Sequence, residues 1–344
     1  MSIRKKAFWS VLSLLLAGAT IWAVLSQLGE MPLRQLRESI RESSKLYLLA
    51  ACVCGLLFIV MEAQGIRRIL EGIGYRAGFR SGVLFSAADI YFSAVTPSAT
   101  GGQPACAVFM IRDGIPTGAV TVTLIVNLIL YTVSIVLLGL GAVLGGFRLF
   151  FGFRPVSKIL IAAGFAIMLG LTVFFFLLLR SGEKVFGFVG RFYRFLYEHK
   201  IIRLLDARLA RLEKAREDFD RCVQLMKEQP GALRRAFLCN FIQRAARIAV
   251  PALVYMAMGG SISMAPTILA IQCFVTIGYN CVPVPGGMGV ADYLMVDGFS
   301  DLMGLEEALH LEVLSRSISF YFCVALSAMI VLVGYLRQKK RERR

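Results

Sequence analysis

The chain has 344 residues, 57% of them hydrophobic, with a mean hydropathy of +0.70 and a formal charge of +16. Soluble domains of this size rarely carry so much apolar surface, so the solvent for most of this one is lipid. The basic residues lie between apolar runs and form no aromatic-interleaved groove, which argues against a nucleic-acid partner and for contact with anionic headgroups.

A spanning helix needs about 20 apolar residues. Arg4, Lys5 and Lys6 precede an apolar run longer than a signal-peptide core, with no small-x-small cleavage site after it. That run reads as an uncleaved first helix over 7–28. Further spanning helices are predicted over 46–67, 115–140, 159–179, 236–258 and 311–336. Two more apolar segments start as helices and then break. Segment 79–111 is interrupted by Thr96-Pro97-Ser98-Ala99-Thr100-Gly101-Gly102-Gln103-Pro104, and segment 266–303 by Val282-Pro283-Val284-Pro285-Gly286-Gly287-Met288-Gly289. Proline and paired glycine do not continue a helix cheaply, so each segment is expected to be two half-helices joined by irregular backbone.

Charge placement sets the expected topology. If both broken segments re-enter and both termini are cytoplasmic, 28 of the 38 Lys and Arg fall inside and seven outside. Full crossings would instead place the basic block of 180–235 outside, against the positive-inside rule. The first break then enters from the cytoplasm and the second from outside, the pattern of an inverted repeat. The predicted fold is all-α: one multi-pass bundle over 1–344 in the cell membrane. It comprises about six spanning helices and two oppositely inserted re-entrant ones, with halves at 1–155 and 156–344. The stretch 181–232 reads as a cytoplasmic amphipathic helical segment, with Leu205, Leu209, Leu212, Phe219, Val223 and Met226 at three- and four-residue spacing. Its apolar stripe either packs on the bundle or lies in the headgroup layer.

Irregular backbone at membrane depth survives only inside protein or along a watery cavity. Gly101, Gly102, Gly286 and Gly287 therefore either line such a cavity or simply allow close packing. The half-helices after them, starting near Pro104 and Met288, would aim free N–H groups at an anionic group, with Gln103 beside the first. Asp89, Asp292, Arg244 and Arg247 are charges inside apolar segments, each costing at least about 2.5 kcal/mol unless partnered or wetted. Asn240, Arg244, Arg247 and Pro251 share one helix face. Functionally, the arginines would grip a phosphate with Asp89 or Asp292 as counter-charge or proton carrier; structurally, Asp89 would pair with Arg244. Glu62, Arg67 and Arg68 are expected to snorkel near a helix end. The eight cysteines read as small packing residues and the two histidines as too few for a metal site. No phosphate loop, Gly-x-Ser-x-Gly or His-Glu-x-x-His occurs, so neither an enzyme nor a cofactor is expected.

Thr96-Pro97-x-x-x-Gly101-Gly102-Gln103-Pro104, followed by Arg112-x-Gly114-Ile115, resembles one hallmark of the lysylphosphatidylglycerol synthase/flippase membrane family. Pro283-x-Pro285-Gly286-Gly287-x-Gly289-x-x-Asp292 resembles the other, although many relatives carry Glu where Asp292 stands. The resemblance spans the chain and adds Arg112 to the candidate substrate-binding residues. It implies a bacterial inner-membrane protein that moves phospholipid between leaflets, a stand-alone relative of the multiple peptide resistance factor without its lysine-transferring synthase domain.

Three functions follow for comparison. The first is translocation of an anionic-headgroup lipid through a central cavity, with membrane phospholipid as partner. The second is secondary transport of a small soluble anion. The third is a scaffold recruiting a lipid-modifying synthase in trans; a homo-oligomer is compatible with each.

Overall fold

The computed structural model describes residues 40–41, 43–96, 100–198, 205–280, 282 and 289–341. The first predicted helix, over 7–28, and the paired glycines Gly286 and Gly287 lie outside the described residues.

The described chain is helical. We number α1 Lys45–Gly72, α2 Phe79–Val95, α3 Gly102–Arg112, α4 Thr117–Gly152, α5 Pro155–Arg180 and α6 Gly182–Glu198. There follow α7 Leu205–Glu228, α8 Pro230–Ala257, α9 Ala265–Asn280, α10 Val290–Met303, α11 Leu305–Arg316 and α12 Cys323–Arg341. Six described stretches are long and apolar enough to span a membrane: Lys45–Gly72, Thr117–Gly152, Pro155–Arg180, Pro230–Ala257, Ile262–Asn280 and Leu305–Gln338. The protein is thus an all-α, multi-pass membrane bundle.

Both segments predicted to break end one helix and begin another: α2 gives way to α3, and α9 to α10. A short 3-10 turn, Ile262–Met264, precedes α9, and the two together are one of the stretches long and apolar enough to span. The predicted helix over 115–140 runs on to Gly152, with its helical geometry interrupted at Gly146 (φ −150°, ψ 36°). Where one helix over 311–336 was expected, α11 and α12 are joined by a π-helical stretch, Ser317–Phe322. Such stretches widen the helix by one residue per turn and often sit at functional sites.

The order long helix, broken helix, long helix occurs twice, as α1–α4 and as α8–α12. Their leading helices, α1 and α8, form the most extensive helix pair in the bundle. Small residues permit this: a Cβ at Gly65 of α1 would come within 3.0 Å of Asn240 Nδ2 on α8. Helix α2 packs against α1, α3 and α12, whereas α4 packs against α5, α7, α8 and α9.

Buried polar groups fasten the peripheral helices. Asp297 of α10, 7% exposed, accepts from the Arg154 backbone N–H (3.0 Å) and from the Ser157 hydroxyl, and pairs with Arg154 Nε at 3.2 Å. A carboxylate at that point satisfies donors that the start of α5 leaves free. The single amphipathic segment predicted near 181–232 is two helices, α6 and α7. The apolar stripe of α7 takes the packed alternative, with Phe219, Cys222 and Met226 buried in the bundle core. Helix α6 rests on it through Phe186 against Phe219 and leaves Phe188, Phe192 and Phe195 exposed.

Candidate binding cavity

Several helices contribute polar side chains to one interior space. Helix α1 reaches Gly72, so Glu62 sits well inside it rather than near its end, and Glu62 is 4% exposed. The snorkelling expected of Glu62 is therefore wrong: an inward-facing carboxylate has no route to the surface. Arg67 and Arg68 do lie in the last turns of α1, where Arg67 donates to the Ala77 carbonyl (2.9 Å) and Arg68 pairs with Glu71 (2.7 Å).

Across from Glu62, Asp89 of α2 is 8% exposed. Its carboxyl accepts from Gln103 Nε2 at 2.9 Å and from the Ser93 hydroxyl at 3.4 Å. The Gln103 contact exists because α3 begins directly against α2. A Cβ at Gly102 would overlap Ser93 Oγ and Asp89 Oδ1, so no larger residue fits there without displacing Asp89. The glycine therefore allows the close approach of α2 and α3 that sets Asp89 and Gln103 in the cavity wall; neither Gly101 nor Gly102 is itself among the lining residues. Glu62 in turn accepts from Gln243 Nε2 (3.1 Å) and the Ser86 hydroxyl (3.3 Å). Glu62 and Asp89 lie within hydrogen-bonding reach of each other.

These groups line a cavity of about 340 Å³. Glu62, Asp89, Gln103, Asn127, Tyr131, Arg244, Arg247, Tyr279 and Asn280 form its polar wall, and α5 contributes Met168, Leu171 and Phe175 to an apolar one. The π-helical stretch and the start of α12 supply Ser319, Phe320 and Cys323. Tyr131 donates to the Asn280 side chain and Asn240 donates to Asn127 Oδ1 (3.2 Å), which ties α4 to α9 and α8.

Arg244 and Arg247 face this space as their spacing requires. Among the described residues neither guanidinium has a carboxylate within 4.0 Å. Arg244 lies over the rings of Tyr131 (4.1 Å to the centroid) and Phe58 (5.2 Å), and Arg247 over Phe58 (5.1 Å). Aromatic faces hold a cation in place while leaving its N–H fork largely free. The ion pair Asp89–Arg244 offered as the structural alternative is absent among the described residues, since Asp89 is held by Gln103 and Ser93. Pro251 lacks the N–H that would complete the helix ladder to the Arg247 carbonyl, loosening the backbone beside the site.

Not every residue singled out in the sequence reaches the cavity. Asp292 accepts from the Gly289 N–H at 2.8 Å, closing the first turn of α10, and pairs with Arg316 Nε at 2.8 Å. Gly289 has φ +73°, which suits glycine at this cap. A minor recess beside Arg316 shares Arg247, Tyr279 and Ser319 with the main cavity, so Asp292 stands near the site and outside its wall. Arg112 is exposed at the end of α3, with its guanidinium 5.7 Å from the centre of the Tyr335 ring. Gln243, Tyr131 and Tyr279 carry no mark in the sequence, and Glu62 was placed at a helix end rather than at the cavity. Glu62 carried a usable signal, since an acid with 16 residues of apolar-rich helix ahead of it seldom lies in lipid.

The family model for the lysylphosphatidylglycerol synthase TM region matches residues 10–327. A protein of Archaeoglobus fulgidus described as a UPF0104 membrane protein is 22% identical over 310 residues, covering 87% of this chain and 90% of the relative. The chain belongs to the lysylphosphatidylglycerol synthase TM region family.

Proposed function

We propose that this member of the family is a lipid translocase that carries an anionic-headgroup lipid between leaflets through the central cavity. One observation carries the reading: two guanidiniums without carboxylate partners among the described residues share a cavity with an apolar wall. Cations at membrane depth without carboxylate partners are costly, and an entering anion relieves that cost. Paired arginines suit phosphate, whose oxygens accept parallel bonds from the planar fork. The apolar side chains of α5 suit the part of the molecule below the headgroup. A volume of about 340 Å³ accommodates a headgroup, leaving the acyl chains in lipid.

In this reading the broken segments are re-entrant, α2–α3 from the cytoplasm and α9–α10 from outside, and the twice-used helix order is an inverted repeat with the cavity between its halves. The basic α6–α7 segment and both termini are cytoplasmic. Membrane phospholipid is the partner, and the protein acts without a cofactor and without catalysing a reaction.

The test is reconstitution into phosphatidylcholine vesicles containing fluorescently labelled phosphatidylglycerol, with a membrane-impermeant quencher added outside. Translocation exposes more than the outer half of the label. Quenching that stops at half, as in protein-free vesicles, would overturn the proposal.

A further inference from the structure

The cavity's four permanent or titratable charges sum to zero in their ordinary ionised forms: Arg244 and Arg247 against Glu62 and Asp89. Other ionisable groups facing the carboxyls are Tyr131 of α4, Tyr279 of α9, Cys106 of α3 and Cys323 of α12, all uncharged in their ordinary form. Helix α5 offers only apolar side chains. Arg244 acts electrostatically on both carboxyls, and Arg247 on Glu62.

An anionic headgroup that engages the guanidiniums upsets this balance. Its phosphate takes over the arginines' charge and leaves two carboxylates, within hydrogen-bonding reach of each other, with one excess negative charge in a low-dielectric space. Two ionised carboxylates can only accept hydrogen bonds, whereas one proton between them turns the contact into a bond. The surroundings are built for either state. Each carboxyl is held by a glutamine amide, Glu62 by Gln243 and Asp89 by Gln103. In both amides the Nε2 donates and the buried Oε1 has no partner among the described residues. Gln243 is fully buried, so its unpaired carbonyl is costly until a donor arrives. Turning the amide over presents Oε1 to a carboxylic O–H, so the same side chain serves the ionised and the protonated acid.

We propose that the Glu62–Asp89 pair is a proton-binding site, and that one proton from the aqueous phase enters with each anionic headgroup, making translocation an electroneutral lipid–proton symport. This rests on the translocase reading and supplies its driving force, since binding of anion and proton each favour the other by the same free energy.

Vesicles holding labelled phosphatidylglycerol, prepared with a pH difference across the membrane, test it. At one proton per lipid, each pH unit should bias the label about tenfold toward the alkaline side, because the proton moves down its gradient. A potassium-diffusion potential imposed without a pH difference should leave the label evenly distributed. Glu62→Gln and Asp89→Asn should bring the tenfold bias down to about one, while Asp297→Asn, away from the cavity, keeps it. The unaltered protein decides the matter even if a variant folds poorly. An even distribution under the pH gradient, or a distribution set by the potential, would overturn symport while leaving translocation standing. Quenching that stops at half under every condition would overturn the translocase reading and the symport with it.

Discussion

The Arg244 guanidinium lies 4.1 Å from the centre of the Tyr131 ring, stacked on an aromatic face with no carboxylate opposite it among the described residues. An arginine that served only to hold helices together would find a carboxylate, and Glu62 and Asp89 are both near. Instead the acids are engaged by amides and hydroxyls. That division of partners leaves the guanidinium available to a ligand.

Replacement of Arg244 or Arg247 by Lys should therefore weaken transport less than replacement by Ala, yet measurably. A point charge remains while the two-pronged bond and the stacking are lost. For Ala we expect at least about a tenfold loss, equivalent to about 1.4 kcal/mol. Equal rates for Arg, Lys and Ala in the vesicle assay would remove the arginines from the site.

Gly102→Leu should abolish translocation, because the new side chain drives into Ser93 and Asp89 and occupies the cavity wall. The control must be chosen from the structure. Gly139, in a continuous helix, is buried against Ile277 and would disrupt α4–α9 packing, whereas a Cβ at Gly141 meets nothing within 4 Å. Gly141→Leu should transport normally. Retained transport in Gly102→Leu, with normal elution on gel filtration, would count against this placement of the site.

The Asp297 carboxylate offers a test of stability separate from function. Asp297→Ala leaves the Arg154 N–H and the Ser157 hydroxyl without their acceptor, at a cost of about 1–3 kcal/mol. A lower melting temperature in detergent is the expected outcome, and an unchanged one would show that water or another group replaces the carboxylate.

Topology is testable by labelling. In a variant lacking the native cysteines, Ser261→Cys should react with an impermeant reagent from outside, and Lys214→Cys only from inside. Both positions are exposed. The reverse pattern would exclude the re-entrant arrangement and the inverted repeat.

Helix positions were legible in the sequence because apolar length and proline–glycine breaks are local signals. The boundaries α2/α3 and α9/α10 fall where Thr96–Gly101 and Val282–Gly289 interrupt the apolar pattern. Arg244, Arg247 and Asp89 were legible as charges that lipid penalises, and all three line the cavity. What stayed hidden depends on tertiary contact. Nothing local distinguishes Gln243 from any polar residue on α8; only the approach of α1 makes it the partner of Glu62. The π-helical stretch Ser317–Phe322 contains no proline or glycine to mark it. Asp292 drew attention by its charge; its cap on Gly289 is local, three residues away, but its pairing with Arg316 emerges only when α11 is placed beside α10.

The central claim is that the cavity holds an anionic lipid headgroup through Arg244 and Arg247, and native mass spectrometry of the purified protein tests it most directly. The spectrum should show a bound lipid of anionic headgroup, and the double variant Arg244→Ala/Arg247→Ala, purified identically, should lose it. Equal lipid retention by the two proteins, or only neutral lipid on the unaltered one, would contradict the account.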